Sequence, residues 1–570
     1  MTAMTLRPPV SSSPPKGLLW LLLCLLALLS LLPSLRLLIS ALFDWQLGSN
    51  SSLWRVLSNH STWVALYNSL YTSGLGTLLS LILGSLFAFC LALTNIRGKQ
   101  IWVFLFMLPM MIPPQVTALS WLQLFGPSSI LLNSIGLAPA FGSPNPLYSP
   151  EGIALLLGIQ HAPLVFLALR TQLQCLPKEQ IEAARLNGAS LWRVFLDIVL
   201  PLCRTALWAG AAIAFVSALG NFGIPAMLGI PISYFVLPIQ IYQTLSSFGP
   251  SMLNDVAALS VLMGVLAIGI VALQGRMQRR YALPLIGMAG RALSFELGRW
   301  RLATELLLSA VLFAILLAPL LALLVTSLVP TLGVPLNMDT LTFSAWRAIF
   351  DDQSATWRAL TNSVTLSVSA ALALMLICLP LAWLLVRYPS RPLRWLYSVI
   401  DIPYTLPGVV LAIAFILLFA RPLPLVGISL SGTLTLIFLA YLARFLTVCL
   451  KPVHNSMLQL DPAMEEAASL AGASFSQRLR HIVLPLLAPA AFAGALLVFL
   501  TAVNELTVSA LLWSAGKETI GVVIFNLDES GNKVLASAIS VLVVTLVAGV
   551  MLLLSYLGKY LPKGVIPWQN

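Results

Sequence analysis

Residues 182–190 read Glu-Ala-Ala-Arg-Leu-Asn-Gly-Ala-Ser, and residues 466–474 read Glu-Ala-Ala-Ser-Leu-Ala-Gly-Ala-Ser. In both copies the Gly follows the Glu by six positions, and a Pro follows the Gly by thirteen. That Pro closes an Ile-Val-Leu-Pro sequence in each copy, at Pro201 and Pro485. The copies lie 284 residues apart with the same internal spacing, so we interpret the chain as two repeated halves.

Each copy is predicted to form a helix, a sharp turn and a second helix. Carboxylates, which favour the positive end of a helix, open the first helix of each copy: Glu179 and Glu182, then Glu465 and Glu466. Gly188 and Gly472 follow at positions where a helix can end in a left-handed conformation. The paired alanines keep the first helix slim enough for a groove on another protein. An ordinary loop between two spans is the alternative for one copy alone, but the duplication disfavours it.

Both segments resemble the Glu-Ala-Ala coupling loop of binding-protein-dependent ABC importer permeases. In that family the Glu-Ala-Ala sequence, the Gly and the Leu-Pro ending mark cytoplasmic helices that dock on the ATPase subunits. The resemblance implies a coupling role for the matching residues: Glu182, Ala183, Ala184, Gly188 and Pro201 in the first copy, and Glu466, Ala467, Ala468, Gly472 and Pro485 in the second.

The composition is typical of a membrane protein. Of 570 residues, 59% are hydrophobic and 9% are charged, a balance that soluble globular domains do not show. A membrane-spanning helix needs about 20 mainly apolar residues. About twelve stretches qualify, six on each side of a basic stretch at 275–301: residues 17–43, 64–94, 101–125, 152–174, 203–229 and 255–274, then 303–329, 361–386, 396–420, 432–450, 487–513 and 534–557. The predicted fold is an all-α polytopic membrane protein.

The two halves align in the same order and orientation. Asn68-Ser69 corresponds to Asn362-Ser363, and Pro113 corresponds to Pro407, both at an offset of 294. We therefore predict two direct six-helix repeats, each with one coupling loop. The predicted segments are a tail at 1–16, a first permease half at 17–274, a basic linker at 275–301, a second permease half at 302–557 and a tail at 558–570.

The positive charges predict the orientation in the membrane. With the amino terminus inside, 23 of the 31 Lys and Arg residues lie in termini, loops or adjoining span ends on that side, six lie on the other side and two lie elsewhere within spans. Such asymmetry is typical of cytoplasmic loops, so both termini and both coupling loops are predicted to be cytoplasmic. It also accounts for the net charge of +12, which indicates a lipid bilayer and not a nucleic acid as the partner.

Prolines and charges within the spans mark candidate positions on a translocation path. Proline interrupts the third span and its counterpart, and such breaks survive in lipid only where they pack against neighbours or line a cavity. A charge in hydrocarbon costs about 2.5 to 3.5 kcal/mol on insertion scales. We therefore predict that Arg444 pairs with Asp401 or Glu505, as a structural pair or in a cavity wall. The candidate path residues are Asn221, Asp401, Arg444, Asn504 and Glu505.

Enzymatic chemistry is not predicted for this chain. The sequence has no phosphate-binding loop, and Gly516-Lys517, the nearest approach to one, lacks the upstream Gly. The four His residues are scattered and no Cys-x-x-Cys pair occurs, so we predict no metal site and no cofactor. ATP hydrolysis is expected in a separate subunit.

The resemblance places the chain with the fused permeases for ferric iron, thiamine, polyamines and phosphonates, and sequences such as residues 220–225 and 504–512 are most similar to the iron branch. It implies alternating access in a bacterial inner membrane, with a periplasmic binding protein and two copies of a cytoplasmic ATP-binding subunit as partners. An ion-driven secondary transporter, which can also have twelve spans in two halves, is the main alternative. A channel or a membrane scaffold is a more distant one.

Overall fold

The computed structural model describes residues 16–558, apart from residues 44, 141, 175, 177, 248, 250, 282–294, 352–353, 389–390 and 423–426. Both predicted tails therefore lie almost wholly outside the described residues, as do Cys175 and the centre of the predicted linker. Within the described part, the regular structure is helical, and an isolated parallel bridge joins Thr94 to Phe295. This confirms the predicted all-α class.

Most helices of the first half follow one another with short connections, and a longer one precedes Pro150. Their bounds are Gly17–Leu42, Ser52–Ser58, His60–Leu93, Lys99–Met111, Pro114–Phe125, Ile130–Ser134, Pro150–Gln174, Lys178–Leu186, Leu191–Leu202, Arg204–Leu219, Gly223–Ile232, Leu237–Leu245 and Met252–Tyr281. The last helix continues seven residues into the predicted linker at 275–301. Trp45, Trp54 and Trp63 are exposed near the start of this half, where we predicted a segment at the lipid interface.

The second half repeats this order. Its helices are Gly298–Thr326, Ser344–Ile349, Ala355–Arg387, Arg391–Thr405, Gly408–Leu418, Leu434–Gln459, Pro462–Leu470, Ser476–Val503, Ser509–Leu512, Ile520–Glu529 and Lys533–Leu557. Across the described residues, nine helices are long and apolar enough to cross a membrane, or up to 12 if each of three bent pairs is one span. The chain is therefore a multi-pass membrane protein.

Four predicted spans are not continuous helices, which corrects the prediction. The span at 101–125 consists of two segments that meet at an angle of 100° beside Pro113, and the span at 396–420 is broken beside Pro407. Proline has no N–H for the helical hydrogen bond, so the helix ends before it. The spans at 203–229 and 487–513 also end early, at Leu219 and Val503, and each continues as a separate short helix.

Each half contains the same two hydrogen bonds at equivalent positions. The Asn68 side chain donates to the carbonyl oxygen of Phe235 at 2.9 Å, and Asn362 donates to that of Glu518 at 3.0 Å. The neighbouring Ser69 and Ser363 hydroxyls accept from the backbone N–H groups of Leu237 at 2.7 Å and Ile520 at 2.8 Å. These shared contacts confirm the direct repeat in three dimensions.

Small residues allow the long helices of the first half to pack closely. A Cβ on Gly84 would lie 2.6 Å from the carbonyl oxygen of Ala162, and one on Gly158 would lie 2.6 Å from Leu79. The Ser80 hydroxyl donates across the same contact to the Gly158 carbonyl at 2.8 Å. Close approach through small residues is the usual way in which helices associate inside a membrane, where apolar burial gives little driving force.

Candidate functional site: two Glu-Ala-Ala helices and a central cavity

The first Glu-Ala-Ala helix, Lys178–Leu186, ends in a left-handed glycine turn. Gly188 has φ of +82°, and the N–H of Ala189 donates to the carbonyl of Ala184 at 3.0 Å. The next helix begins after Ser190, whose hydroxyl accepts from the N–H of Arg193 at 3.3 Å. This is the predicted helix, turn and helix, since the glycine adopts a backbone conformation that other residues reach only with strain.

The second Glu-Ala-Ala helix, Pro462–Leu470, has the same end. Gly472 has φ of +83°, and the N–H of Ala473 donates to the carbonyl of Ala468 at 3.0 Å. Ser474 and Gln477 then form a reciprocal cap, in which each side-chain oxygen accepts from the other residue's N–H. The turn geometry is thus repeated almost to the degree.

The prolines that close the two copies follow equivalent distortions. A single π-helical turn occupies Phe195–Val199 in one copy and Leu479–Val483 in the other. Pro201 and Pro485 lie at the start of the α-helical segments that follow. A proline has no N–H to donate to the preceding turn, so each proline lies where regular hydrogen bonding is interrupted, just after the π-helical turn.

The exposed faces of the two Glu-Ala-Ala helices match residue by residue. Glu182 and Glu466 are exposed, as are Ala183 and Ala467, while Ala184 and Ala468 are half-buried. Leu186 is 89% exposed and Leu470 is 91% exposed, an unusual position for a leucine. The sequence analysis did not select these leucines, although their repetition 284 residues apart could have identified them.

The buried faces differ in chemistry. At one position in each helix the side chain points into the bundle, and this residue is Ile181 in the first helix and Glu465 in the second. The Glu465 carboxylate accepts from the Nε of Arg387 at 2.7 Å and from the indole N–H of Trp383 at 2.9 Å. Arg387 also donates to the carbonyl of Leu460 at 3.2 Å. Two residues near the end of the helix Ala355–Arg387 thereby hold the second Glu-Ala-Ala helix in place.

A cavity of about 330 Å³ lies where the two halves meet. The first half contributes Met110, Met111, Ile112, Pro114, Gln160, His161, Leu164, Val216, Ser217, Gly220, Asn221 and Gly223, and the second contributes Tyr404, Thr405, Leu406, Pro407, Gly408, Arg444, Phe445, Val448, Thr501, Asn504, Glu505, Leu506 and Thr507. The ends of all four broken spans are among these residues. Breaks in the helices thus coincide with the cavity, as expected for backbone that leaves regular hydrogen bonding inside a membrane.

Four of the five candidate path residues line this cavity, and Asp401 does not. Of the two predicted pairs, the structure contains Arg444 with Glu505, whose Nε and Oε1 atoms are 3.7 Å apart. Asp401 instead lies 3.5 Å from Lys451, with 43% of its side chain exposed. Glu505 also accepts from the N–H of Val508 at 2.8 Å, which fixes the carboxylate at the start of a short helix.

The cavity wall is asymmetric in charge. Asn221, the counterpart of Glu505, accepts from the N–H of Ile224 at 3.2 Å, so the same backbone is held by a neutral side chain. Gln160, the counterpart of Arg444, donates to the carbonyl of Ile112 beside the first proline break at 2.8 Å. The charged pair therefore belongs to the second half alone.

The halves touch each other at two matching places beside the breaks. The side-chain amide of Asn504 donates to the carbonyl of Met111, at the end of the first broken helix. At the counterpart of Asn504, a Cβ on Gly220 would lie 3.2 Å from Pro407, at the other broken helix. One contact is a hydrogen bond and the other is close packing, so each broken helix is held by the opposite half.

Among the described residues, no group of three or more His, Cys, Asp or Glu side chains is arranged to hold a metal ion. The charged atoms that face the cavity are those of Arg444 and Glu505. Their opposite charges leave the wall nearly neutral overall, with hydrogen-bonding amides and hydroxyls around the pair.

Comparison with known proteins identifies residues 76–283 and 378–566 as two matches to one family, described as "Binding-protein-dependent transport system inner membrane component". An ABC transporter permease protein of Sinorhizobium fredii is 27% identical over 88% of this chain and 88% of its own length. A ferric transport system permease protein of Haemophilus influenzae is 25% identical over 87% of this chain and 78% of its own. A 2-aminoethylphosphonate transport system permease protein of Salmonella choleraesuis is 27% identical over 36% of this chain and 77% of its own.

Proposed function

The chain belongs to the family of binding-protein-dependent transport system inner membrane components and is the fused permease of an ABC importer, and we propose that it carries ferric iron delivered by a periplasmic binding protein. Family membership excludes the ion-driven secondary transporter considered above. Hydrolysis of ATP takes place in a separate subunit, and this chain provides the path and the docking surfaces.

The observation that carries the coupling role is the matched pair of Glu-Ala-Ala helices. Both present the same exposed face, with Glu, Ala and a nearly fully exposed Leu at equivalent positions. The same exposed pattern at equivalent positions of both copies, and not the exposure of one leucine, supports a contact surface that is used twice. Two such faces on one chain accept two copies of the ATP-binding subunit in the cytoplasm. Both termini lie on the same side.

The observation that carries the path is the cavity between the halves. Contacts across the broken helices, from Asn504 to Met111 and from Gly220 to Pro407, connect the two halves beside it. Movement of the ATPase subunits separates or joins the halves at these contacts, and this exposes the cavity to one side of the membrane and then to the other. Asn221, Arg444, Asn504 and Glu505 line the path that the cargo takes.

Ferric iron is the preferred cargo because the relative named for ferric transport aligns over 87% of this chain and 78% of its own length, across both halves. The relative named for phosphonate transport aligns with only one half of this chain. Thiamine, polyamines and phosphonates remain the alternatives within the same transporter type.

The coupling role is tested with Gly188→Val and Gly472→Val, alone and together. Valine at a positive φ carries backbone strain of order 1 to 3 kcal/mol, which distorts the turn behind the docking face. We expect each variant to weaken binding of the ATP-binding subunit about tenfold, equivalent to roughly 1.4 kcal/mol. Gly136→Val is the matched control, since Gly136 also has a positive φ of +70° but lies far from both turns in sequence and packing. Normal ATPase binding in the double variant would remove the coupling role.

The cargo is tested by uptake of labelled ferric iron into iron-starved cells that lack other iron importers. Cells with the intact chain are compared with cells that carry Glu182→Ala/Gly188→Val/Glu466→Ala/Gly472→Val at equal membrane abundance. We expect uptake to fall to the level of a gene deletion. If deletion leaves iron uptake unchanged, the cargo is wrong, and the same cells are then assayed with labelled phosphonate, thiamine and polyamine.

A further inference from the structure

The two Glu-Ala-Ala helices are fixed to their halves by different chemistry. In the second half, Glu465, Arg387 and Trp383 form a buried network in which the Arg387 and Glu465 side chains are only 9% and 3% exposed. In the first half, the repeat places Ile181, Leu93 and Phe89 at the three equivalent positions. Ile181 and Leu93 are buried, and Phe89 packs edge to face against Phe195, with ring centroids 5.0 Å apart. A charged, directional attachment is thus replaced by an apolar one.

Phe295 and Leu297, at the described end of the segment that joins the two halves, lie beside the apolar attachment. The N–H of Phe295 donates to the carbonyl of Leu93 at 2.7 Å, and the N–H of Leu297 donates to the Asn95 side chain at 3.2 Å. These bonds tie the backbone at the end of the first-half helix to the linker. They do not reach the first Glu-Ala-Ala helix itself, whose attachment at Ile181 is a burial of hydrocarbon.

The difference matters because apolar contact has no preferred direction, whereas a charge-assisted hydrogen bond fixes distance and angle. At the position of Ile181 the contact is hydrocarbon, and a contact of this kind can shift with little loss of buried area. A helix held by a buried carboxylate and guanidinium cannot shift without separating two charges away from water. The second helix should therefore move with its half as one body, while the first can slide.

The network also lies at one end of a continuous lever. Arg387 ends the helix Ala355–Arg387, and near the other end of this helix Asn362 and Ser363 bind the segment Glu518–Ile520. This helix, which contains Pro380, thus connects the second Glu-Ala-Ala helix to the segment Glu518–Ile520 at the opposite side of the bundle.

We propose that Arg387, Glu465 and Trp383 are positioning residues for transport, which lock the second Glu-Ala-Ala helix to its half and make it the helix that transmits most of the movement generated by ATP hydrolysis. This inference rests on the proposed docking of the ATP-binding subunits. It assigns unequal parts to two helices whose exposed faces are alike.

The test makes the second half resemble the first, with Trp383→Phe/Arg387→Leu/Glu465→Ile. The purified chain, in complex with its ATP-binding subunits, is reconstituted in liposomes, and uptake of labelled ferric iron is measured together with ATP hydrolysis. We expect ATPase binding within twofold of the unchanged chain and at least a fivefold fall in iron transported per ATP. Arg55→Gln/Asp255→Asn, which removes a 2.8 Å ion pair elsewhere, is the matched control and should leave the ratio unchanged.

Hydrogen exchange supplies a second measurement that needs no cargo. In the unchanged complex, amides of Pro462–Leu470 should exchange at least tenfold more slowly than those of Lys178–Leu186. In the triple variant the two rates should become similar. Glu465→Gln, which keeps an acceptor for Trp383 but loses the charge, should lie between them and serves if the triple variant fails to insert.

Three outcomes overturn the inference. Equal exchange of the two helices in the unchanged complex would show that the network adds no rigidity. An unaltered ratio of transport to hydrolysis in the triple variant would show that the rigidity is not used. Failure of the ATP-binding subunits to bind the unchanged chain would remove the proposed docking, and the inference with it, whereas failure of iron uptake alone leaves the exchange measurement to decide.

Discussion

Arg444 and Glu505 form an ion pair in the wall of the central cavity, where each charge is stabilised by the other. The sequence predicted that Arg444 would need a carboxylate partner, because an isolated charge inside a membrane is costly. It could not choose between Asp401 and Glu505, since that choice depends on how the broken helices turn. In the structure Glu505 follows the break after Val503 and lies beside Arg444, while Asp401, in the helix before Pro407, lies near Lys451.

Removal of one member of this pair should destabilise the protein more than removal of both. Arg444→Gln leaves the Glu505 carboxylate without its cation, and we expect a loss of about 2 to 3 kcal/mol, below the roughly 3 to 5 of a fully buried pair, because Arg444 is partly accessible. In Arg444→Gln/Glu505→Gln, the new amide oxygen can still accept from Val508, so most of the loss should be recovered. The thermal stabilities of the four proteins in detergent form a double-mutant cycle, and additive losses would contradict an energetic pair.

At the scale of helices, the sequence predicted a feature correctly when neighbouring residues determine that feature. The glycine turns at Gly188 and Gly472 were predicted correctly because a turn is set by a few neighbouring residues. The breaks after Leu219 and Val503 were missed, since no proline marks them. The polar residues Asn221 and Glu505 hold the short helices that follow these breaks. A polar residue at the same position of both halves could have marked the breaks, but average hydropathy does not show it.

For the hydrogen bonds that repeat between the halves, the sequence identified one partner of each bond but not the other. Ser69 and Ser363 were aligned correctly, but their partners Leu237 and Ile520 lie far along the chain, at the starts of short helices. Only the three-dimensional fold brings them together. Such contacts fix these short helices, which therefore owe their positions to side chains on the long helices.

Ser69→Ala and Ser363→Ala should therefore destabilise the two halves to a similar extent. Each substitution leaves a buried backbone N–H without an acceptor, which costs about 1 to 3 kcal/mol. Ser309→Ala is the control, because the Ser309 hydroxyl is exposed and donates only to the Glu305 carbonyl of its own helix. Unfolding in detergent followed by near-ultraviolet circular dichroism measures the effect. A serine variant as stable as the control would contradict a structural role for that bond.

The whole molecule is a single polypeptide that provides both halves of a permease. Two family matches on one chain confirm the duplication that the Glu-Ala-Ala repeat predicted. The orientation in the membrane and the identity of the partner subunits remain predictions. Both depend on contacts with the lipid bilayer and with other proteins. The sequence supplied the repeat and the class of protein, while the cavity, its neutral wall and the asymmetric attachment of the two Glu-Ala-Ala helices required the structure.

One chain should bind two copies of the ATP-binding subunit. Leu186 and Leu470 are the apolar residues that protrude most from the two docking faces, so Leu186→Glu or Leu470→Glu alone should leave one copy bound, and both together should leave none. Native mass spectrometry of the purified complex counts the copies directly. Leu137→Glu, at another strongly exposed leucine, is the control. A complex with a single copy on the unchanged chain would refute the two-site arrangement.

Because the two halves are joined covalently, they are free to differ in ways that identical subunits cannot. A pore built from two copies of one subunit would show every lining group twice, on opposite sides of a symmetry axis. Here Arg444 stands where the first half has Gln160, and Glu505 stands where it has Asn221, so the cavity wall carries this cation and this anion on the second half. A duplicated chain can thus change the charge of this wall by one residue, where a symmetric dimer would change it by two.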